Sequence, residues 1–250
     1  MKRRIFKISA ALFLLFFILL GFSSRGITHT IFNKIQQQYH LLVSKNMETI
    51  ETEHFIIRHE EEEVAEVTAN IAEKYYKKLR EKFNYHTEDK IPIIVYSDMD
   101  KMKKTAALKA ESTPMGLYSG STIRILSPEQ WIDPEENMKE IFEKEGPIIH
   151  ELVHYIVDDI TKGNHQEWFF EGMSLYTEYL YTGFVIGKNR EYDTLYTISE
   201  LENNFRDLDQ IKAYYSSFMI IKTLAEENNF EYLNNMLQYL SEGKNLKIII

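Results

Sequence analysis

The chain has 250 residues, 44% of them hydrophobic and 27% charged, with a net charge of −9; that is enough for one sizeable core plus an appendage. The acidic balance argues against nucleic acid or anionic lipid as the main partner. Cysteine is absent, which excludes disulfides, thiolate zinc sites and a cysteine nucleophile, and leaves histidine and carboxylates as the strong metal ligands.

The N-terminus opens with the basic head "MKRR" and Lys7, followed by the apolar run "ISAALFLLFFILLGF" from Ile8 to Phe22. A charged head before an apolar stretch is the layout of a secretory signal. Counted from Ile5 the run is about 18 residues, marginal for a membrane span. No clean A-x-A cleavage site follows, so an uncleaved signal-anchor over 1–24 is the leading expectation and a removed signal peptide the other. Either way the chain from about residue 25 faces outward, membrane-tethered or secreted. Next, Ile27, Ile31, Ile35, Tyr39 and Leu42 or Val43 recur at near-helical spacing. Residues 25–48 therefore read as a helical spacer that lifts the remaining domain, 49–250, off the membrane.

Within that domain, "EHFIIRHE" (53–60) reads as a short strand, and Val64, Val67, Ile71, Tyr75, Leu79 and Phe83 mark one long amphipathic helix. "IPIIVY" (91–96) is a buried strand by length and composition. Ser97 and Asp100 look like a capping pair for a helix reaching about Ala110. "MGLYSGSTIRILSP" (115–128) is extended chain with a Ser119-Gly120-Ser121 turn, a hairpin or a bulged strand. Past Pro134 the pattern turns helical: "IIHELVHYIVDD" started by Pro147, then "WFFEGMSLYTEYLY" (168–181), "QIKAYYSSFMIIKTLAEEN" (210–228) and "FEYLNNMLQYLSEG" (230–243). The fold class is α+β, a small N-terminal mixed sheet followed by a mostly helical half.

The stretch "EGPIIHELVHYIVDD" (145–159) carries the chemistry. Helical residues four apart point the same way, so His150 and His154 converge, about 40° apart around the axis, with Glu151 about 100° from His150 and beside that face. Ile148, Ile149, Leu152 and Ile156 form the opposite, burying stripe. This geometry lets two imidazoles bind one ion while a carboxylate reaches what the ion holds. The plainer alternative is two surface histidines on an ordinary helix. A metal site needs a third ligand, and "NHQEWFFEGMSLYTEY" offers carboxylates on a second helix.

H-E-x-x-H followed by a helix carrying E-G-x-x-x-Y resembles the gluzincin branch of the zinc metallopeptidases. From about Thr52 to Gly243 the order of elements is similar to the bacterial peptidase MA-like group. The resemblance implies a zincin-like fold with one Zn2+ per chain, His150, His154 and Glu171 as metal ligands and Glu151 as the catalytic glutamate. Sixteen residues separate His154 from Glu171, slightly fewer than in aminopeptidase-type gluzincins, so a tighter connection is expected. Glu178, seven residues on and on the same helical face, is a supporting partner or a rival ligand. Asp158, one turn after His154, is placed to orient an imidazole. His165, in the intervening loop, either faces the cleft or is solvated, and the solvated reading is preferred.

What the resemblance implies chemically is peptide-bond hydrolysis by a zinc-activated water, with Glu151 as general base. Oxyanion support would come from "KAYYSSF", where Tyr214 matches better than Tyr215; among sixteen tyrosines, packing is the plain alternative for both. Gly116, Leu117, Tyr118 and Ser119 are expected to hold a peptide or protein substrate by strand addition, the plain alternative being a hairpin with no ligand. Gly172 and Ser174 are small enough to bring their helix close to the histidine helix, and Trp168 docks its start. The competing class is a non-catalytic, zinc-stabilised extracytoplasmic module whose edge strand recruits a partner. Glu151 argues against it, because a structural site has no use for that carboxylate and usually takes four protein ligands. An intramembrane protease would need further apolar spans, and none follows residue 22. The closing "NLKIII" stops where similar proteins run on, so a shortened C-terminal helical region is expected; oligomeric state is left open.

Overall fold

The computed structural model describes residues 25–106 and 114–246. The apolar N-terminal run and the isoleucine-rich end lie outside the described residues. In chain order the elements are α1 (Arg25–Val43), β1 (Glu48–Glu51), β2 (Phe55–His59), α2 (Glu62–Phe83), β3 (Ile91–Tyr96), α3 (Met99–Ala106), β4 (Gly116–Ser119) and β5 (Thr122–Leu126). The helical half follows with α4 (Met138–Glu145), α5 (Ile148–Thr161), α6 (Glu167–Thr182), α7 (Ile198–Asn204), α8 (Gln210–Asn228) and α9 (Phe230–Ser241). The class is α+β.

The sheet is mixed, in the order β1-β2-β3-β5-β4. β3 lies parallel to β2 and β5, while the two outer pairs are antiparallel. All six residues of β3 are buried, as expected for a central strand covered on both faces. Strand β1 is absent from the sequence reading because "ETIE" has a lone apolar residue, Ile50, and no alternation to reveal it. The β4–β5 hairpin closes through Gly120 and Ser121, both left-handed at φ +56° and +50°, the two-residue turn whose twist matches its strands. β4 is left as the outer strand at one edge.

One face of the sheet packs on α2 and α5, where Phe55, Ile57, Ile93, Ile123 and Ile125 join Tyr76, Leu79, Leu152 and Ile156 in the main core. The other face holds a small cluster of Ile94, Tyr96, Met102 and Leu126 beneath α3. That helix is capped by Asp98, whose Oδ1 accepts from Lys101 N at 2.9 Å. Ser97, expected as the cap, turns instead to Glu60. The description of α3 stops at Ala106, so its expected extension to Ala110 falls outside the described residues.

Helix α1 differs most from expectation. It is docked on the domain, not held apart from it. Its polar side faces inward: Asn33 Nδ2 donates to Asp158 Oδ2 at 2.9 Å, His29 Nε2 lies 3.0 Å from Asp158 Oδ1, and Gln37 Nε2 donates to the Ser121 carbonyl at 3.1 Å. Two glycines make room for it. A Cβ on Gly120 would come within 2.3 Å of Gln36, and one on Gly163 within 2.5 Å of His29. The apolar stripe therefore points away from the protein, leaving Ile27, Ile31, Phe32, Ile35, Tyr39, Leu42 and Val43 exposed. Periodicity reveals that a helix has two unlike faces; the partner decides which one is buried, and here the partner surface is polar. Among the described residues, no helix is long and apolar enough to cross a membrane.

Candidate metal centre

Helix α5 is buried on nearly every side, and its two histidines project one turn apart, their ring centroids 4.5 Å from each other and the planes at 88°. Helix α6 supplies the third group. Glu171 Oε2 lies 3.3 Å from His150 Nε2 and 3.5 Å from His154 Nε2. One ligand atom from each of these three residues falls within 4.8 Å of the others, a group that could hold a metal ion. The structure thus brings together the three residues expected from the sequence.

The position of α6 follows from its packing. Trp168 is fully buried at its start and donates to Gln166 at 2.8 Å. Gly172 allows a close approach, but to α8 and not to α5 as expected: an added Cβ would sit 2.7 Å from the Ser217 carbonyl. Ser174 does face α5, with Oγ 2.9 Å from His154 Nδ1. Glu178 Oε2 lies 3.4 Å from His150 Nδ1. Both imidazoles are therefore held at Nδ1, which leaves Nε2 turned to Glu171; such partners fix ring orientation and tautomer at a metal site. Glu178 sits behind an imidazole, as a support.

Asp158 does not meet either of these imidazoles. The turn after His154 aims it at α1 and β4, where it accepts from Tyr118 Oη at 2.6 Å and Asn33 at 2.9 Å and pairs with His29 and, at 3.3 Å, His165. Burial alone would raise its carboxyl, but His165, His29 and Tyr118 hold it well below the usual carboxylate range. His165 is likewise not solvated. Its ring stacks on Phe170 at 4.1 Å, and Phe170 stacks on His154 at 3.9 Å.

Charges in the cluster are driven apart. Burial acts against the His150 proton, yet the carboxylates of Glu171 and Glu178 outweigh it and hold that imidazole well above its ordinary value. Burial takes His154 down to about 4, against the pull of Glu171. Glu171 stays well below the carboxylate range despite its burial, because His154 and His150 stabilise its charge. Burial pushes Glu151 up to about 8, opposed by His150, and among the described residues its buried Oε2 has no hydrogen-bond partner. Two imidazole nitrogens, a carboxylate and an orphaned buried carboxylate oxygen beside them suit a divalent cation, and this donor set fits zinc.

A cavity of about 390 Å³ opens over the cluster, lined by His150, Glu151, His154, Glu171, Tyr214 and the near end of β4, with Leu175, Phe184 and Ile186 on its apolar side. Of the two tyrosines weighed in the sequence, Tyr214 reaches this cavity; Tyr215 stacks on Tyr192 at 5.2 Å instead. Burial and the nearby Glu171, Glu167 and Glu151 carboxylates raise the Tyr214 phenol, keeping it protonated. Gly116, Leu117 and Tyr118 line the cavity. Ser119 does not: its Oγ accepts from Arg124 at 2.7 Å on the side toward His40. In a two-residue hairpin of this register, ladder bonds alternate, so the amides and carbonyls of Gly116 and Tyr118 point away from β5 toward the open edge. Sequence reasoning missed Phe170, Phe184 and Ile186, and the Ser174 bond to His154. Only Ser174 carried a signal, lying three residues after Glu171 on the same helical face.

A second group, Glu53, His54 and Glu73, also has metal-compatible spacing. There, however, Arg80 Nη1 donates to His54 Nε2 at 2.9 Å and Glu73 holds Nδ1 at 2.7 Å. Both nitrogens are engaged, one by a cation, which makes this an ion-pair network. No protein-family model and no curated protein matches the chain.

Proposed function

We propose that the chain is an outward-facing zinc-dependent peptidase of gluzincin type with a zincin-like fold. The convergence of His150 Nε2, His154 Nε2 and Glu171 Oε2 beside the unpartnered Glu151 carries this reading. A zinc ion held by the three would act as a Lewis acid and bring the pKa of water down to about 7. Glu151 accepts a proton from the attacking water and returns it to the leaving amine. The Tyr214 hydroxyl donates to the carbonyl oxygen as it gains negative charge. The open edge of β4 aligns an extended peptide through the backbone groups of Gly116 and Tyr118. Among the described residues no lysine or arginine lines the cavity, while Leu175, Phe184 and Ile186 do. This favours a large apolar substrate side chain beside the cut.

Metal analysis of the purified full chain should find one zinc per chain, lost in His154→Ala and Glu171→Ala and kept in Glu178→Gln. Glu151→Gln should keep zinc and lose peptide hydrolysis by about 10²-fold or more. Absence of zinc from a folded, metal-supplied parent would remove the peptidase reading. Undiminished hydrolysis in Glu151→Gln would remove the general base. If instead zinc is bound and a partner-binding function survives in Glu151→Gln with no hydrolysis in the parent, the non-catalytic module is the better account.

A further inference from the structure

We propose that the outward face of α1 lies in the plane of a lipid bilayer surface, so that the helix seats the domain on the membrane and does not hold it away. The apolar residues exposed on α1 span roughly 160° of its circumference at 100° per residue, from Ile27 to Val43, with Ile35 near the middle. The residues that dock the helix, His29, Asn33 and Gln37, lie on the other side. A face this wide, with Phe32 and Tyr39 on it and polar docking behind it, has the layout of an interfacial helix.

Two observations select lipid over other occupants. The apolar run Ile8–Phe22 ends three residues before α1 begins at Arg25, so the sequence leads directly from that run into the exposed stripe. In addition, on the α1 side of that run, residues 23–47 hold three basic residues, Arg25, Lys34 and Lys45, and no Asp or Glu. The acidic excess of the chain lies entirely beyond them, and this end complements anionic head groups. That qualifies the inference from net charge alone: the whole-chain balance disfavours anionic lipid, while the end that would meet it is basic. A second copy of the chain fits less well. A two-helix seam is a narrow a/d stripe flanked by opposite charges, and α1 has a broad stripe and no acidic residue.

The absence of cysteine makes the test direct, because one introduced thiol is the only one in the chain. The full chain is labelled with an environment-sensitive fluorophore at Ile31→Cys, Ile35→Cys or Leu42→Cys, all exposed positions, with Glu231→Cys on α9 as control. Each is reconstituted into phosphatidylcholine–phosphatidylglycerol vesicles carrying nitroxide lipid, with the nitroxide either near the head groups or near the bilayer centre. The expected result is loss of emission at the three α1 positions, greater with the shallow nitroxide than with the deep one, and none at position 231. Emission at all three α1 positions that matches the control and is quenched by aqueous iodide would overturn the proposal and restore the spacer. Protection from both nitroxide and iodide, with disulfide-linked dimers of the unlabelled Ile35→Cys variant that increase with protein density, would also overturn it and assign the face to a second copy.

Discussion

Gly116 is the residue that allows the edge strand β4 and helix α5 to meet. A Cβ there would lie 2.5 Å from Pro147 Cβ and 2.6 Å from Glu151 Oε1, so an alanine forces either β4 or the Glu151 carboxylate to move. Gly116→Ala should keep zinc but lower kcat/KM about tenfold or more, since displacements of about 1 Å are costly at a reacting centre; steady-state kinetics with parallel metal analysis checks this. Tyr214→Phe removes a hydroxyl without changing the packed ring. It should lower kcat by about 10²-fold with KM and zinc content little changed, and unchanged turnover would leave Tyr214 as a packing residue. His150, Glu151 and His154 were legible in the sequence because helical period sets direction within one helix, whereas Glu171 was singled out among the carboxylates of the next helix by the resemblance in E-G-x-x-x-Y. Asp158 was not legible. The same period places it on the site-facing side, but apart from His165 its partners are His29, Asn33 and Tyr118, 129, 125 and 40 residues away in the chain, and no local pattern announces contacts at that range.

At the scale of elements, α1 shows both how far patterning reaches and where it ends. The helix and its stripe follow from spacing alone, whereas its docked face does not. His40, buried at this interface near Arg124, makes the docking sensitive to pH. Burial first, and Arg124 second, lower its imidazole from an ordinary 6.5 to about 4. Between those values the unfolded state binds more protons than the folded one, so this contribution to stability is complete above pH 6.5 and is lost as pH falls toward 4. With allowance for solvent screening the loss is about 1–2 kcal/mol. Denaturant titrations at pH 7 and pH 4.5 should show a smaller acid-induced loss in His40→Gln than in the parent. An equal loss would place the acid sensitivity elsewhere. The β4–β5 hairpin was read from its turn residues, because positive φ at Gly120 and Ser121 is a local requirement. The neighbour order of the strands was not, since parallel pairing through β3 is settled by long crossovers.

For the whole molecule, α5 is the bridge: it packs under the sheet on one side and meets α6 on the other. An ion shared by α5 and α6 would therefore stabilise the connection between the sheet half and the helical half. At about a hundred times its Kd, zinc should add about 2.7 kcal/mol to unfolding, raising Tm by about 5–10 °C for a chain of this size. A chelator should reverse the shift, and His154→Ala should show none; scanning calorimetry with and without chelator is the check. The α+β class was evident from the succession of element types.

Asp158 also gives the fold a mechanical property. One carboxylate oxygen, Oδ2, accepts from Asn33 on α1 and from Tyr118 on β4. The load path from α1 to the wall of the cleft is thus two hydrogen bonds long. A pull on α1 therefore reaches the strand beside Glu151 before the core has deformed.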